Sequence, residues 1–195
     1  MPERTWKAAF GEVSRAARRH KVRSGLVAVV VAGSLAALAL AGGSANSAGS
    51  GSKPQAAAFS LPVLGPSGVG TGRVSLAAYA GKPLIVNFFA SWCSPCKKET
   101  PLLARFYRSE HGRVAVVGLD ENDTMTSALK FTSADGVTYP VGWDPSIAAA
   151  SAYGVNGLPQ TFFLDDKHRV VDRIFGAVTQ ADLDKGLALA TAGTS

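Results

Sequence analysis

Two cysteines are the whole thiol inventory of this 195-residue chain, and they stand together as Cys93-Ser94-Pro95-Cys96. At the start of a helix this spacing lets both sulfurs reach one bond. The helix N-terminus offers unpaired N–H groups and a positive dipole end, which favour a thiolate. In such motifs the thiol pKa commonly falls into about the 3.5–7.5 range, so Cys93 is the candidate nucleophile. Pro95 has a fixed φ and no N–H to donate, which shapes the dithiol turn. Half a zinc site and a structural disulfide are the competing readings. The three histidines, at 20, 111 and 168, are not at paired-ligand spacing, and no metal site is expected. A disulfide between residues so close in sequence constrains little chain and adds little stability. A redox dithiol is the reading that the strand–CxxC–helix setting supports, with no cofactor beyond the redox-active Cys93–Cys96 disulfide.

The elements that must position this pair are legible as apolar patterns. Residues 84–90 (LIVNFFA) are a nearly continuous apolar run, the pattern of a central strand covered on both faces. A helix follows over 93–109, with Pro101 expected to kink it. Residues 114–119 (VAVVGL) read as a second buried strand, and 126–134 as a helix. Asp144-Pro145 is a cap followed by a first-position proline, predicting a helix over 145–153 that Gly154 stops. Strands at 160–164 and 169–175 flank a polar turn, a hairpin. Thr179 and Asp182 cap a last amphipathic helix reaching about residue 190. The fold class is α/β, a mixed central sheet flanked by helices.

The composition narrows the function classes. Apolar content of 47% with 17% charged excludes a disordered chain. The net charge of +6 is uneven: residues 1–24 hold seven bases and two acids, a net +5, which leaves 13 bases and 12 acids, a net +1, for the rest. A basic tail is a poor argument for nucleic-acid binding, which needs cations gathered on a folded face, so no nucleic-acid partner is expected. Residues 25–41 are 17 uncharged, mostly apolar residues behind that basic block. They read as a signal anchor, or as a signal peptide cleaved after Ala39-Leu40-Ala41. Either reading leaves the basic tail 1–24 cytoplasmic and the rest of the chain outside. The first places the protein in the cell membrane as a single-pass protein; the second has it secreted. Residues 42–58 are Gly/Ser-rich, a flexible linker, and the folded domain spans 59–195, large enough to bury a core.

The folded part resembles the thioredoxin-fold disulfide reductases of the TlpA/ResA type, the group that includes DsbE (CcmG) proteins. The resemblance is carried by Ser75-Leu76, Gly81-Lys82-Pro83, the run VNFFASWCSPCKKETP at 86–101, Tyr139-Pro140-Val141, and YGVNGLPQTFF at 153–163. It implies a thioredoxin-like fold with the family's central insertion over 120–153, adding a helix and an edge strand. It implies that Cys93 is the exposed attacking thiol and Cys96 the resolving one. It implies a cis peptide before Pro159, packed against the dithiol, with the backbone of Leu158 pairing with a substrate strand. Glu99 matches an acid kept near the dithiol, where it can relay a proton; an acid merely stabilised by the helix dipole is the other reading. Asn87 stands where cytoplasmic thioredoxins carry a buried Asp, which leaves Glu99 as the proton acceptor. Trp92 shields the dithiol and meets partners, or is a packed aromatic. Gln160 departs from the family's commoner Thr, beside the substrate groove.

The resulting expectation is a protein disulfide reductase outside the cytoplasmic membrane, acting on protein dithiols and disulfides such as apocytochrome c and fed by a membrane electron donor. An oxidase that inserts disulfides is the alternative of the same chemistry, and a peroxide-reducing redoxin is opposed by the paired cysteines. A binding module or chaperone with an idle dithiol is the alternative of another class. The glycine-rich stretch 65–72 lacks the Gly-Lys-Ser/Thr ending of a phosphate loop and reads as a surface turn. Asn122-Asp123-Thr124 is a chance glycosylation triplet, and His111 and His168 are expected in solvated loops.

Overall fold

The chain lays down β1 (Ser60–Gly65), β2 (Gly68–Ser75) and a 3-10 turn (Leu76–Tyr79) before reaching the central strand β3 (Leu84–Phe89). Then come α1 (Ser94–Ser109), β4 (Ala115–Glu121), α2 (Met125–Ala134), β5 (Val141–Asp144), α3 (Ala148–Ala152), β6 (Gln160–Leu164), β7 (Val170–Phe175) and α4 (Gln180–Thr191). This computed structural model describes residues 52–65 and 68–193. The tail 1–24, the apolar run 25–41 and most of the expected linker lie outside the described residues. Among the described residues no helix is long and apolar enough to cross a membrane.

The seven strands form one mixed sheet in the order β2-β1-β5-β4-β3-β6-β7. β3 runs parallel to β4 and antiparallel to β6, and every one of its residues is buried. Alternation along a strand sends successive side chains to opposite faces. Leu84, Val86 and Phe88 therefore pack with Val117, Leu119 and Phe162 on one face. Ile85 and Phe89 pack with Leu103 of α1, Val116 and Phe163 on the other. Asn87 falls by the same alternation on the face that α1 covers. α4 lies close against β6 because Gly186 has no Cβ: one there would sit 2.2 Å from Phe163 Cδ1.

The structure corrects several expectations. Residues 65 and 68–72 are not a free surface turn; Leu64 pairs with Val69 and Gly65 with Gly68 in a hairpin. The strand of the insertion, β5, is not an edge, because β1 pairs outside it through Val63 and Gly142. The helix expected over 145–153 is confined to Ala148–Ala152, since Ile147 adopts a left-handed φ of 53°. Asp144 still caps it from the end of β5, its carboxylate accepting from the N–H groups of Ala148, Ala149 and Ala150 at 2.9, 2.8 and 3.2 Å. His168 is buried rather than solvated, with Nε2 3.0 Å from the Tyr79 carbonyl. The chain also joins the sheet before Phe59: the Ala56 N–H donates to the His168 carbonyl, and the Val170 N–H to that of Pro54. Pro101 lies inside the span of helix α1.

Candidate active site

Cys93 ends the loop that leaves β3 and is the N-cap of α1. The loop turns back on itself through the Cys93 N–H, which donates to the Ala90 carbonyl at 3.1 Å. A cap residue offers an acceptor to the first free N–H groups of a helix, and here the Cys93 Sγ accepts from the Cys96 N–H at 3.2 Å. Cys93 and Cys96 are joined in a disulfide. Cys93 is 4% exposed and Cys96 is fully buried. The attacking thiol is thus less open than the resemblance implies, because the cap turns its sulfur inward against the helix end. Only Cys93 of the pair keeps any accessible surface.

One helical turn beyond Cys96, on the same face of α1, Glu99 is buried under the dithiol. Its two oxygens are held separately: Oε1 accepts from Asn87 Nδ2 at 2.8 Å and Oε2 from the Val178 N–H at 2.7 Å. Asn87 Nδ2 also donates to Thr161 Oγ1 at 2.9 Å, a cross-strand pair that the β3–β6 register creates. Burial pushes the Glu99 carboxyl up to about 7, against the two donors, which favour its charged form. Glu99 is therefore no solvated first-turn acid.

The Leu158–Pro159 peptide bond is cis, as the resemblance implies. Gln160 pairs with Phe88 in the antiparallel register, so Pro159 lies at the end of β3 from which the dithiol loop departs. Leu158 packs against the core cluster that contains Cys93 and Cys96. Trp92 is 57% exposed, which excludes the packed-aromatic reading, and its Nε1 donates to the Asn122 carbonyl at 3.0 Å. Pro95 occupies the first turn of α1 and is exposed.

The loop after β4 contributes residues that the motif did not point to. Asp123 Oδ2 accepts from the Ser91 N–H at 2.7 Å, two residues before Cys93, and the Asp123 carbonyl accepts from Trp143 Nε1 at 3.1 Å. Behind it, Asp120 is fully buried and neither of its oxygens finds a donor among the described residues. Burial first, then the Asp123 charge, pushes its carboxyl up to about 8. Two carboxylates have no donor between them; a proton on Asp120 supplies one towards Asp123. The acids at 120 and 123 are visible in the sequence, but the burial of Asp120 and the placement of both beside the dithiol loop follow from β4 register, which local patterns do not encode. Among the described residues no group of three His, Cys, Asp or Glu side chains could hold a metal ion.

Comparison with known proteins agrees with this geometry. The profile described as the AhpC/TSA family matches residues 53–173. The thiol-disulfide oxidoreductase ResA of Bacillus anthracis is 31% identical over 113 residues, 57% of this chain and 65% of the relative. ResA of Bacillus subtilis (strain 168) is 32% identical over 110 residues, 56% and 62%. The chain thus spans less than two thirds of the length of these curated relatives. Among solved structures, a putative thiol:disulfide interchange protein DsbE from Chlorobium tepidum superposes with a TM-score of 0.63 at 27% identity, over 71% of this chain and 96% of that one. A DsbF homologue from Corynebacterium diphtheriae gives 0.63 at 28% identity, over 71% and 87%.

Proposed function

The chain belongs to the AhpC/TSA family and, by the relatives it matches, to its thioredoxin-fold oxidoreductases of ResA and DsbE type; on that premise we propose that it reduces disulfides in partner proteins by thiol–disulfide exchange. One observation carries the reading: the Cys93–Cys96 disulfide capped on the α1 N-terminus, with a buried Glu99 that titrates near neutrality one turn below.

In the reduced protein the Cys93 thiolate attacks one sulfur of the partner disulfide. A mixed disulfide forms and the partner's other sulfur leaves as a thiolate. Glu99 as carboxylate takes the Cys96 proton, and the Cys96 thiolate attacks the Cys93 sulfur. The Cys93–Cys96 disulfide forms and the second partner sulfur leaves as a thiolate; two electrons have passed to the partner, whose two thiolates take one proton from Glu99 and one from water. The Cys96 N–H, already aimed at the Cys93 Sγ, stabilises the charge on that sulfur whenever it is a thiolate. The partner chain pairs with the backbone of Leu158 by β-addition, and Trp92 supplies exposed apolar contact beside it.

The wider setting belongs to the same proposal. The basic 1–24 and apolar 25–41 tether the domain on the extracytoplasmic side, a membrane protein supplies electrons, and an apocytochrome c disulfide is the substrate. The test is the reduction potential of Cys93–Cys96 together with trapping by Cys96→Ala in cells. A potential near or below about −270 mV, with covalently trapped apocytochrome c, is expected. A potential nearer about −120 mV replaces the reductase with a disulfide-inserting oxidase. A Cys93→Ala chain that keeps full activity in cells replaces both with a binding module.

A further inference from the structure

The loop 154–159 that carries Leu158 and Pro159 is fastened from behind by two side chains that the exchange chemistry does not use. Gln160 is 2% exposed; it faces inward rather than lining a groove. Its Nε2 donates to Asn156 Oδ1 at 3.0 Å. Its Oε1 accepts from Arg173 Nε at 3.1 Å and from Arg173 Nη2. The same Nη2 donates to the Gly154 carbonyl at 2.8 Å. The guanidinium is itself fixed by two rings, 4.7 Å from the Phe162 centroid and 4.3 Å from that of Phe175. The far end of the loop is tied by the Gly176 N–H, which donates to the Pro159 carbonyl at 2.9 Å.

The loop is thus held at Gly154, Asn156 and Pro159. Between them the backbone of Leu158 enters no hydrogen bond among the described residues. An unpaired backbone on a fixed loop is preorganised for an extended partner, because its ordering is complete before binding. The fastening depends on glutamine. A threonine in its place has one short hydroxyl, and only an amide of this length both donates to Asn156 and accepts from Arg173.

Resting on the exchange reading above, we infer that Gln160 and Arg173 are positioning residues for protein partners: they hold Leu158 where a partner segment brings its disulfide to Cys93, and they touch neither sulfur. The test compares the full-length chain in detergent with Gln160→Thr, Arg173→Lys and Asn156→Ala, using insulin and a small aromatic disulfide as substrates with dithiothreitol as reductant. In Gln160→Thr the KM for insulin rises roughly five- to tenfold with kcat unchanged, as loss of one buried hydrogen-bonded link requires. Turnover of the small disulfide and the Cys93–Cys96 potential stay at wild-type values. Arg173→Lys moves KM the same way, because an ammonium does not reproduce the planar fork. Asn156→Ala, at an exposed loop position that does not build the core, moves it in the same direction and adds nothing on top of Gln160→Thr. An unshifted insulin KM in Gln160→Thr and Asn156→Ala overturns the inference, and so does an equal loss on both substrates. A wild-type chain inert towards both disulfides removes the exchange reading itself; an active wild type with unshifted variants removes this inference alone.

Discussion

Two buried carboxyls flank the dithiol loop, and the fold treats them differently. Glu99, on α1, has a separate donor for each oxygen, from Asn87 and from Val178. Asp120, on β4, has none among the described residues and faces a second acid, Asp123. Burial raises both pKa values. The donors hold Glu99 at about 7, whereas Asp120 goes to about 8. A carboxyl near neutrality suits the proton exchange proposed for Glu99. Protonation of Asp120 puts a donor beside Asp123, whose Oδ2 accepts the Ser91 N–H. Burial raises both carboxyls, and their surroundings differ: two donors oppose it at Glu99, whereas a second acid adds to it at Asp120.

The largest effect follows from removing the satisfied acid. Glu99→Ala leaves one hydrogen of Asn87 Nδ2 and the Val178 N–H without an acceptor and opens a void, a loss of about 3 kcal/mol or more in unfolding free energy. Glu99→Gln keeps the volume and accepts from one of the two donors. It should fold, lose about ten- to a hundredfold in the Cys96 resolution step, and lose the inflection near pH 7 from the exchange rate. Single-turnover kinetics across pH 5–9 with Glu99→Gln reads this; a retained inflection assigns that proton to another group.

The pH dependence of stability sharpens the contrast. Both groups have folded pKa values raised above their unfolded ones. Between the two values the native chain holds a proton that the unfolded chain has lost, so stability falls as pH rises. For Glu99 the window runs from the usual carboxylate range to about 7, and for Asp120 to about 8. Asp120→Asn keeps a donor towards Asp123 and removes the titration. Denaturant melts should show its advantage over wild type growing with pH through that window, by at most about 1.4 kcal/mol per pH unit, from nothing near pH 4. A wild-type curve flat from pH 5 to 9 would mean that Asp120 ionises without cost.

The sequence carries the local half of this site. Cys93, Cys96 and Glu99 lie on one short helical stretch, and strand–CxxC–helix order is visible in apolar runs; the Thr179–Asp182 capping box is likewise a three-residue pattern, and it forms. What stayed hidden is what crosses the chain. Val178 reaches Glu99 over 79 residues and Ser91 reaches Asp123 over 32. The inner position of β5 depends on β1, whose Pro62 weakens its strand signal. Gln160 read as a groove residue because its neighbour Pro159 carries the motif, while the inward pleat of β6 is what turns its amide towards Arg173.

The smallest effect separates the two ties between the 122–124 loop and the dithiol loop. Asp123 accepts the Ser91 N–H from a half-buried position, and its other oxygen accepts from the Thr124 N–H at 2.7 Å. Trp92 Nε1 reaches the Asn122 carbonyl from an exposed ring. Where water competes for both partners a hydrogen bond contributes little, and where it does not the orphaned donor carries its desolvation cost. Asp123→Ala should therefore lower stability by about 1–2 kcal/mol, because it leaves the Ser91 N–H unpaired and takes the proton partner from Asp120. Trp92→Phe keeps the apolar face and loses only the exposed bond, about 0.5 kcal/mol or less. Paired urea melts of the two variants measure the difference. If Trp92→Phe costs as much as Asp123→Ala, the indole and not the Asp120–Asp123 pair anchors the dithiol loop, and Asp120 loses its link to the active site.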